Sequence, residues 1–393
     1  MEATSQSPTE AAFVQNPYGF YRSIRALGHF IRWEEYGIPV ATTSAAVNAV
    51  LRHPQLGREI PVERRPDVQP GLKAFYDIEE FSLLEMEPPA HTRLRKLVLG
   101  AFTRKEVNAL GPFVSLTCDQ LIDAFPSGPF DLLDAFARQV PVRVIADLLG
   151  VPQEMCPQLL NWSNAMVAMY QARRDQSVEN AAAEASAEFT AFVREMIALR
   201  TRTPGDDLLS QLVVGRVDGQ KLSEREIISI TILLLNAGHE ATVHALGNSI
   251  RLLCEYSERN LALEPDYIEG TVEECLRFDP PLHLFRRWVY KDVTILGTEF
   301  SAGTEIGCLL GSACRDDAVW PDGEIFDPFR MKRPNVAFGA GIHFCIGAPL
   351  ARLEMQIALP ALFSRCPNLR IVEPPKVADL YHFRGRERLM VEV

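Results

Sequence analysis

One cysteine of the chain lies in surroundings that suit a metal ligand. Cys345 belongs to the run Phe338-Gly339-Ala340-Gly341-Ile342-His343-Phe344-Cys345-Ile346-Gly347, just before a helix predicted to begin near Pro349. The positive end of a helix dipole and nearby backbone N–H groups lower the pKa of a cysteine placed there. The flanking glycines remove side chains, so that a large flat ligand can lie against the backbone. The loop is therefore predicted to hold an anionic sulfur against a planar metal complex.

A cysteine between glycines is often only a small buried hydrophobic residue, and we adopt that interpretation for the other seven cysteines. These are Cys118, Cys156, Cys254, Cys275, Cys308, Cys314 and Cys366. At Cys345 the pattern Phe-Gly-x-Gly-x-His-x-Cys-x-Gly is complete, and it resembles the haem-thiolate loop of the cytochrome P-450 family. The resemblance implies that Cys345 is the axial ligand of a haem b iron, as a thiolate that favours O–O cleavage. It also implies that the haem is bordered by Ala337, Phe338, Gly339, Gly347 and Ala351.

A second segment with chemical potential lies in a helix predicted to begin after Ser223. Ser223 and Glu226 form a capping-box pattern, and the apolar run that follows indicates a helix crossing the core. Gly238, Glu240 and Thr242 then break the local preferences of a buried helix within two turns. A tight helix crossing and a solvent-facing acid would explain them one at a time. The three together favour a functional site.

The segment Ala237-Gly238-His239-Glu240-Ala241-Thr242 resembles the oxygen-binding segment of the same family. The family usually has a threonine directly after the acid, where it takes part in proton delivery, and this chain has Ala241. The resemblance assigns catalysis to Glu240, Ala241 and Thr242, and haem contact to Gly238 and Thr242. We expect Glu240 to matter more than Thr242, with protons passing through ordered water helped by Thr242 or by a polar group of the substrate.

Haem carries two propionates, which need cationic or hydrogen-bonding partners. His91 and Arg95 stand four residues apart on one face of a helix after Pro88-Pro89, and they match the family's His-x-x-x-Arg. His343 lies two residues before Cys345 and is expected at the same haem edge. Each would be a surface charge or an ordinary buried histidine on its own, but they fit one motif set jointly.

Glu274 and Arg277 carry opposite charges three residues apart, which alone is a weak signal because exposed helices hold many such pairs. Their position resembles the family's Glu-x-x-Arg element, which implies a buried structural ion pair joined by Arg330. The family usually has another propionate partner nine residues beyond the arginine of this element. We therefore favour Arg286 for that role over the adjacent Arg287.

The resemblance also assigns a pocket for a hydrophobic substrate. Any of its members could simply be a core residue, and for the two methionines the two interpretations are about equal. They are Leu83, Leu84, Met166, Met169, Leu234, Ala237, Leu282, Leu284 and Phe383. A pocket of this composition suits a terpenoid, a fatty acid, an aromatic compound or an intermediate of secondary metabolism.

The pattern of helix-like and strand-like segments predicts a mainly α fold with a small β region. We expect a single domain over residues 1–393. No Gly/Ser linker, long proline-rich spacer or internal repeat divides the chain. Residues 1–15 are polar and are expected to be mobile, and residues 54–84 are expected to form a long loop with local helix. Helices dominate from 88 to about 253, and a minor sheet is expected from both ends of the chain. This pattern agrees with the family's triangular-prism fold, in which a long central helix lies over the haem.

Charge and composition restrict the classes of partner and the cellular location that we expect for the chain. The chain has 40 basic and 51 acidic residues, a formal net charge of −11, which argues against nucleic acid. Its eight cysteines include no CxxC pair, as expected in a reducing cytosol. The amino terminus lacks the features of a signal peptide, and no apolar run approaches the roughly 20 residues needed to span a bilayer. We expect a cytoplasmic monomer without a membrane anchor.

These features together identify the chain as similar to soluble haem-thiolate monooxygenases, which insert one atom of O₂ into a substrate by hydroxylation or O-dealkylation. No flavin or iron–sulfur segment is present, so a ferredoxin and its reductase are expected to supply electrons. A basic patch could dock an acidic ferredoxin, although charged runs are often only solvated surface. The patch consists of Arg93, Arg95, Lys96, Arg104 and Lys105. The alternatives are a peroxygenase driven by H₂O₂, for which the oxygen-binding segment lacks an arginine, and a non-catalytic haem carrier or sensor.

Overall fold

A computed structural model describes residues 1–65, 67–171, 174–217 and 219–393. Its α-helices are α1 (Ala11–Gln15), α2 (Tyr18–Leu27), α3 (Ser44–Arg52), α4 (Lys73–Glu79), α5 (Ala90–Ala101), α6 (Arg104–Ala109), α7 (Gly111–Asp123), α8 (Gln139–Leu149), α9 (Cys156–Val167), α10 (Gln176–Arg202), α11 (Leu208–Val214), α12 (Glu224–Glu255), α13 (Arg259–Ala262), α14 (Ile268–Phe278), α15 (Leu310–Ala313) and α16 (Ala348–Arg365). Its strands are β1 (Ala3–Thr4), β2 (Phe30–Trp33), β3 (Ile38–Ala41), β4 (Leu56–Gly57), β5 (Phe130–Asp131), β6 (Arg216–Val217), β7 (Gln220–Lys221), β8 (Leu284–Val289), β9 (Val293–Ile295), β10 (Thr298–Phe300), β11 (Glu305–Leu309), β12 (Arg370–Ile371) and β13 (Met390–Glu392).

The helix α12 runs through the interior, as its apolar sequence predicts. Its 32 residues extend about 48 Å at 1.5 Å per residue. The capping box is confirmed, because the Ser223 side chain accepts from the N–H of Glu226 while the Glu226 carboxylate accepts from the N–H of Ser223. α12 packs against α8, α9, α14 and α16, and one connected hydrophobic core contains residues from Phe30 to Val391.

The main sheet is assembled from both ends of the chain, as expected. Its six strands lie in the order β1-β2-β3-β11-β8-β4. β1 is parallel to β2 and β11 is parallel to β3, whereas β2–β3, β11–β8 and β4–β8 are antiparallel. Because successive side chains of a strand point to opposite faces, β8 sends Phe285 and Arg287 to one side and Leu284 and Arg286 to the other.

The amino-terminal segment corrects a sequence prediction. Residues 1–15, expected to be mobile, form β1 and α1. Phe13 and Val14 are buried in a second hydrophobic core that also contains Tyr21 and Trp33. The indole N–H of Trp33 donates to the carbonyl of Gln6 at 2.7 Å. The segment is held because two apolar residues bury against aromatic rings that come from later in the chain.

The segment 54–84 agrees better with its prediction of a long loop with local helix. It contains β4, two 3₁₀ turns at Val62–Arg64 and Pro70–Leu72, and α4. Within this range, Pro66 lies outside the described residues. The segment passes from the edge of the main sheet to the start of α5.

Candidate functional site

The backbone of the cysteine loop requires glycine at two positions. Gly339 and Gly341 have φ of 69° and 75°, in the left-handed region that side chains disfavour. A Cβ at Gly341 would collide with the carbonyl oxygen of Leu51, and one at Gly339 would lie 3.0 Å from the ring of Phe285. The N–H of Cys345 donates to the carbonyl of Phe338 at 3.1 Å. The loop is therefore pressed against its neighbours and leads Cys345 directly into α16.

The sulfur of Cys345 differs from the others in its exposure. Among the eight cysteines, all within the described part of the chain, Cys345 alone is exposed. The surrounding protein nevertheless desolvates this thiol and raises its pKa, while the N–H groups of Gly347 and Ala348 and the charges of Arg95 and Arg352 act to lower it.

This outcome corrects the predicted direction of the pKa shift at Cys345. The predicted N–H donors are present, but desolvation outweighs them. A coordinating metal cation deprotonates a thiol outright, so the site suits a metal-bound thiolate better than a free one.

Histidines and arginines gather beside the cysteine loop. The rings of His91 and His343 lie 4.5 Å apart, and Nε2 of His343 lies 2.9 Å from Oε1 of Glu87. Both ring nitrogens of His91 are buried without a hydrogen-bond partner among the residues that the structure describes. Burial and the nearby charges of His343 and Arg95 lower the pKa of His91 to about 4. A buried donor that lacks an acceptor fits the propionates of a haem.

Arg95 connects α5 to the cysteine loop. Its Nη2 donates to the carbonyl oxygen of Phe344 at 2.5 Å, one residue before Cys345. Burial lowers the pKa of Arg95, and the neighbouring sulfur acts in the opposite direction. The predicted pair His91 and Arg95 therefore lies on the side of α5 that faces the loop.

The strand β8 places two neighbouring arginines on opposite faces of the sheet. Arg286 is 42% exposed, donates to Glu305 at 3.2 Å and lies 5.4 Å from the ring centre of Tyr36. Arg287 is 1% exposed and lies near His343, where burial and the charge of Arg287 lower the histidine's pKa. Arg287, and not Arg286, is thus the arginine on the side of the other donors. Residue spacing alone could not distinguish Arg286 from Arg287, because a shift of one residue along a strand moves the side chain to the other face of the sheet.

The predicted structural ion pair is present. Nε and Nη2 of Arg277 donate to the two oxygens of Glu274 at 2.6 and 2.7 Å, and both side chains are buried. Nε of Arg330 lies 3.6 Å from Oε1 of Glu274, as the resemblance implies. The same oxygen accepts from the N–H of Asp327 at 2.9 Å. These contacts join α14 to the segment that leads into the cysteine loop.

Glu240 is neither solvent-facing nor alone. Its side chain is 15% exposed, with Oε2 3.6 Å from Nε2 of His239 and Oε1 3.3 Å from Nε2 of His244. Burial raises its pKa, but hydrogen bonding and charge from His244, with His239 and Arg138, lower it to about 2 overall. α12 therefore carries an ionised carboxylate in its buried middle part.

The other two unusual residues of this segment have structural explanations as well. A Cβ at Gly238 would lie 2.9 Å from Cγ1 of Ile145, so glycine permits the close crossing of α12 and α8. The hydroxyl of Thr242 donates to the carbonyl of Gly238 at 3.5 Å. α12 stays helical through this segment, and the helix crossing considered for Gly238 is present.

Most of the predicted pocket residues lie on the expected elements. Leu282 and Phe383 face each other in an isolated antiparallel bridge. Met166 is buried, and its sulfur accepts from the Asn236 side chain of α12 at 3.6 Å. Leu83, Met169 and Leu234 are buried, and Leu84 is 37% exposed.

Leu284 is the exception among the pocket residues. It packs in the second hydrophobic core with Tyr18, Tyr21 and Leu309. The alternation of β8 turns Phe285, and not Leu284, toward the cysteine loop, so no observed contact supports Leu284 as a pocket residue.

Several charged residues of the segment 54–84 and its surroundings were not identified from sequence motifs. Nη2 of Arg58 donates to Oε1 of Glu85 at 2.6 Å, and its guanidinium lies 6.0 Å from the ring centre of Phe285. Burial raises the pKa of Glu79 to about 7, although a hydrogen bond from Tyr170 opposes the shift. No motif marks these residues, and only the path of β4 and α4 brings them together.

Comparisons with known proteins find a matching family and similar sequences. Residues 264–377 match the family model described as Cytochrome P450. The biotin biosynthesis cytochrome P450 of Bacillus subtilis (strain 168) is 31% identical over 98% of this chain and 98% of its own length. The vitamin D(3) 25-hydroxylase of Pseudonocardia autotrophica is 35% identical over 91% of this chain and 88% of its own length.

A solved structure is similar over nearly the whole chain. The crystal structure of P450BioI in complex with hexadec-9Z-enoic acid ligated acyl carrier protein superposes with a TM-score of 0.92 at 31% identity. The match covers 98% of this chain and 100% of the other. The mainly α fold with a long central helix is thereby confirmed.

Proposed function

Because this chain belongs to the cytochrome P450 family, we propose that it inserts one atom of O₂ into a small to medium hydrophobic substrate with electrons from an external ferredoxin and its reductase. The family uses haem b, and curated relatives are named as monooxygenases and hydroxylases. The single observation that carries the proposal is that Cys345, the one exposed cysteine among the eight, lies in a loop whose backbone requires glycine at Gly339 and Gly341. When bound, the haem supplies oxygen activation and oxygen-atom transfer.

The haem would be held by Cys345 at the iron and by donors along one edge. We assign the propionates to His91, Arg95, Arg287 and His343. Arg287 supports this assignment best, because it is 1% exposed and burial lowers its pKa to about 10, with Arg58 adding to the effect. A buried guanidinium with incomplete charge compensation favours an anionic partner.

The chain's own contribution to proton delivery is Glu240. Its ionised carboxylate is held in the interior of α12, and Ala241 offers no hydroxyl. The Thr242 hydroxyl is directed to the carbonyl of Gly238. We therefore give Glu240 the larger role, with ordered water and either Thr242 or a polar group of the substrate completing the route.

The substrate is proposed to be a free hydrophobic molecule. We assign the pocket mainly to aliphatic and aromatic residues; the burial of Leu83 and Met169 and the bridge between Leu282 and Phe383 support this assignment. A relative that hydroxylates vitamin D(3), as its name says, makes a molecule of that size reasonable. The segment 58–87 beside this pocket carries eight acidic and four basic side chains, which disfavours a substrate with a strongly anionic carrier.

The electron donor is proposed to dock on the basic patch. Arg93 is expected to contribute less positive charge to this patch than its other members. Arg93 forms an ion pair with Glu226 at the start of α12, so its charge is largely compensated. Arg104 and Lys105 are exposed on α6. Opposite charges on a ferredoxin would speed encounter more than they would strengthen binding.

The proposed location is the cytoplasm, as a monomer. The described residues contain no helix that is long and apolar enough to cross a bilayer. A fractionation of cells into soluble and membrane pools and a sedimentation run on the purified protein would test the two statements separately.

Three measurements test the proposed function. A carbon monoxide difference spectrum should show thiolate ligation, and its absence would overturn the assignment of Cys345. NAD(P)H consumption with a ferredoxin and its reductase, compared with turnover on H₂O₂ alone, should favour the former; the reverse would make the protein a peroxygenase. Product under neither condition would favour a carrier or sensor. A compound library screened for the low-to-high-spin shift of the Soret band would then identify the substrate.

A further inference from the structure

Glu240 lies between two histidines of its own helix. Nε2 of His244 lies 3.3 Å from Oε1 of the carboxylate, and Nε2 of His239 lies 3.6 Å from Oε2. All three side chains are buried or nearly so, with exposures of 2% for His239, 10% for His244 and 15% for Glu240. Each oxygen therefore faces a different imidazole in a region with little access to water.

The tautomer of His239 is fixed by its second contact. Nδ1 lies 3.0 Å from the carbonyl oxygen of Leu235, which can only accept, so Nδ1 carries a hydrogen. Burial lowers the pKa of His239, which favours the neutral ring. A neutral ring with hydrogen on Nδ1 turns the lone pair of Nε2 toward Glu240. His239 in this tautomer therefore has no hydrogen on Nε2 to donate to the carboxylate.

His244 is in the opposite situation. Its Nε2 is buried 3.3 Å from Oε1 of Glu240, and within the described part of the chain it has no hydrogen-bond partner that would hold it elsewhere. A Cβ added at Gly385 would overlap Nδ1 of His244, so the backbone of this segment packs directly on the ring. Glycine at 385 thus allows the imidazole to stand where its Nε2–H reaches the carboxylate.

The other charged groups around the pair have fixed partners. Arg138, in the turn that follows the π-helical segment Leu133–Ala137, is paired with Asp134. Arg384 and Arg386 flank Gly385, and both bind Asp279. None of these groups readily changes its protonation near neutral pH. An imidazole can, and it can accept a proton at one nitrogen while releasing one from the other.

We propose that His244 is a positioning residue that holds the Glu240 carboxylate and supplies it with protons from the side of the Gly385 segment. A proton from water first binds Nδ1 and forms the imidazolium, which then gives its Nε2 proton to Oε1. The ring is then neutral with its hydrogen on Nδ1, and proton exchange with water restores the tautomer with hydrogen on Nε2, so water is the only co-reactant. The imidazole of His244 would thus provide a proton-carrying group near Glu240 in a chain that has Ala241 where the family usually has a threonine hydroxyl.

The inference rests on the proposed monooxygenase function but can fail without it. The carbon monoxide difference spectrum reports thiolate ligation by Cys345 in every variant. A variant with normal ligation and altered proton handling therefore concerns His244 and Glu240 alone.

The first test observes the protonation of His244 without turnover. Protein labelled with ¹⁵N-histidine is loaded with haem, reduced and bound to carbon monoxide, so that it is diamagnetic, and the ring nitrogen shifts are compared between wild type and Glu240→Gln at one pH. The Nε2 shift of His244 should differ between the two proteins, because the carboxylate that faces this nitrogen is lost in the variant. An unchanged Nε2 shift would show that the two groups do not interact and would overturn the proposal.

The second test separates proton supply from position. His244→Gln keeps an N–H donor near the site of Nε2 but cannot pass a proton, and His244→Phe removes both properties. With the library compound that gives the largest Soret shift, both variants should lower the product formed per NAD(P)H by about tenfold and flatten its pH profile. Full coupling in His244→Gln would overturn the proposal.

A matched control guards against general effects of the substitution. His29→Gln changes an exposed histidine that contacts Thr43, far along the chain from α12, and it should leave coupling and pH profile unchanged. If His244→Phe does not load haem, His244→Gln and the comparison of ring nitrogen shifts still decide the question.

Discussion

The guanidinium of Arg277 donates two hydrogen bonds to the carboxylate of Glu274, at 2.6 and 2.7 Å, where neither side chain is more than 4% exposed. Its remaining donors reach the carbonyls of Cys314, Gly323 and Ile325 at 2.8 to 3.2 Å. One buried side chain thus connects α14 to the long segment before the cysteine loop. A buried pair of this kind is stable only while both members are present.

Replacing Arg277 should therefore remove the cofactor as well as stability. Arg277→Ala leaves the charge of Glu274 buried and unpaired, and we expect a loss of about 3–5 kcal/mol in the free energy of unfolding. Urea unfolding and the ratio of Soret to protein absorbance measure the two effects. Arg365→Ala, which breaks exposed pairs with Asp119 and Asp123, is the control and should change little. A normally loaded Arg277→Ala protein would contradict the structural role.

The neighbouring arginines of β8 offer an internal comparison for haem retention. Arg287→Met should speed the transfer of haem to an apoglobin by about tenfold or more, because a charge-assisted partner of the propionates is lost. Arg286→Met removes the exposed contact with Glu305 and should change the rate by less than about twofold. The opposite ranking would return the role to Arg286.

The difference between these two arginines shows what sequence alone could and could not predict. The loop around Cys345 and the pair Glu274 and Arg277 follow local spacing, so their contacts were predictable. The face of Arg287 depends on the pairing of β8 with β11, where it lies opposite Ile306. That register is set by tertiary packing and not by a local pattern.

The surroundings of the amino terminus and of Leu284 depend on tertiary contacts as well. Phe13 packs against the rings of Tyr381 and Trp33, which come from later in the sequence. Leu284 was assigned to the pocket by the family resemblance, and it packs with Tyr18 and Tyr21 of α2. Contacts between separate segments set both environments, and no short window of sequence contains them.

Substitutions in α12 should show which residue controls coupling. Glu240→Gln removes the ionised carboxylate, and we expect the product formed per NAD(P)H to fall by about tenfold or more, with peroxide accounting for the lost electrons. Thr242→Ala removes only a hydroxyl that is bonded to the helix backbone, and coupling should fall by less than about threefold. The prediction fails if Glu240→Gln leaves the ratio unchanged while Thr242→Ala abolishes it.

Charge reversal on α6 should slow electron transfer. Lys105 is almost fully exposed, and Lys105→Glu should reduce the rate of reduction by a ferredoxin several-fold at low ionic strength. The difference from wild type should shrink as salt rises, because screening acts on both proteins. Lys291→Glu, an exposed charge beside β9, is the control. Rates that do not respond to salt in either protein would argue against electrostatic docking.

Glu354 should make the stability of the protein depend on pH. It lies in α16 with 1% exposure, its Oε2 has no hydrogen-bond partner among the described residues, and burial raises its pKa from 4.5 to about 8. Because the folded-state pKa is the higher one, the folded chain binds this proton more tightly than the unfolded chain. Stability is therefore greatest below the unfolded-state pKa and falls as the pH rises between the two values.

At pH 7 the burial of Glu354 lowers the free energy of unfolding by about 3 kcal/mol. This figure follows from 1.36 kcal/mol for each pH unit above the unfolded-state pKa. Glu354→Gln stays neutral, so its free energy of unfolding should exceed that of the wild type at pH 7 and should lack the decline between about pH 5 and 8. Urea unfolding at a series of pH values measures this, with the exposed Glu63→Gln as the matched control. If Glu354→Gln kept the wild-type pH dependence, the decline would have to come from another group, and Glu354 would have to be ionised with a partner in the folded protein.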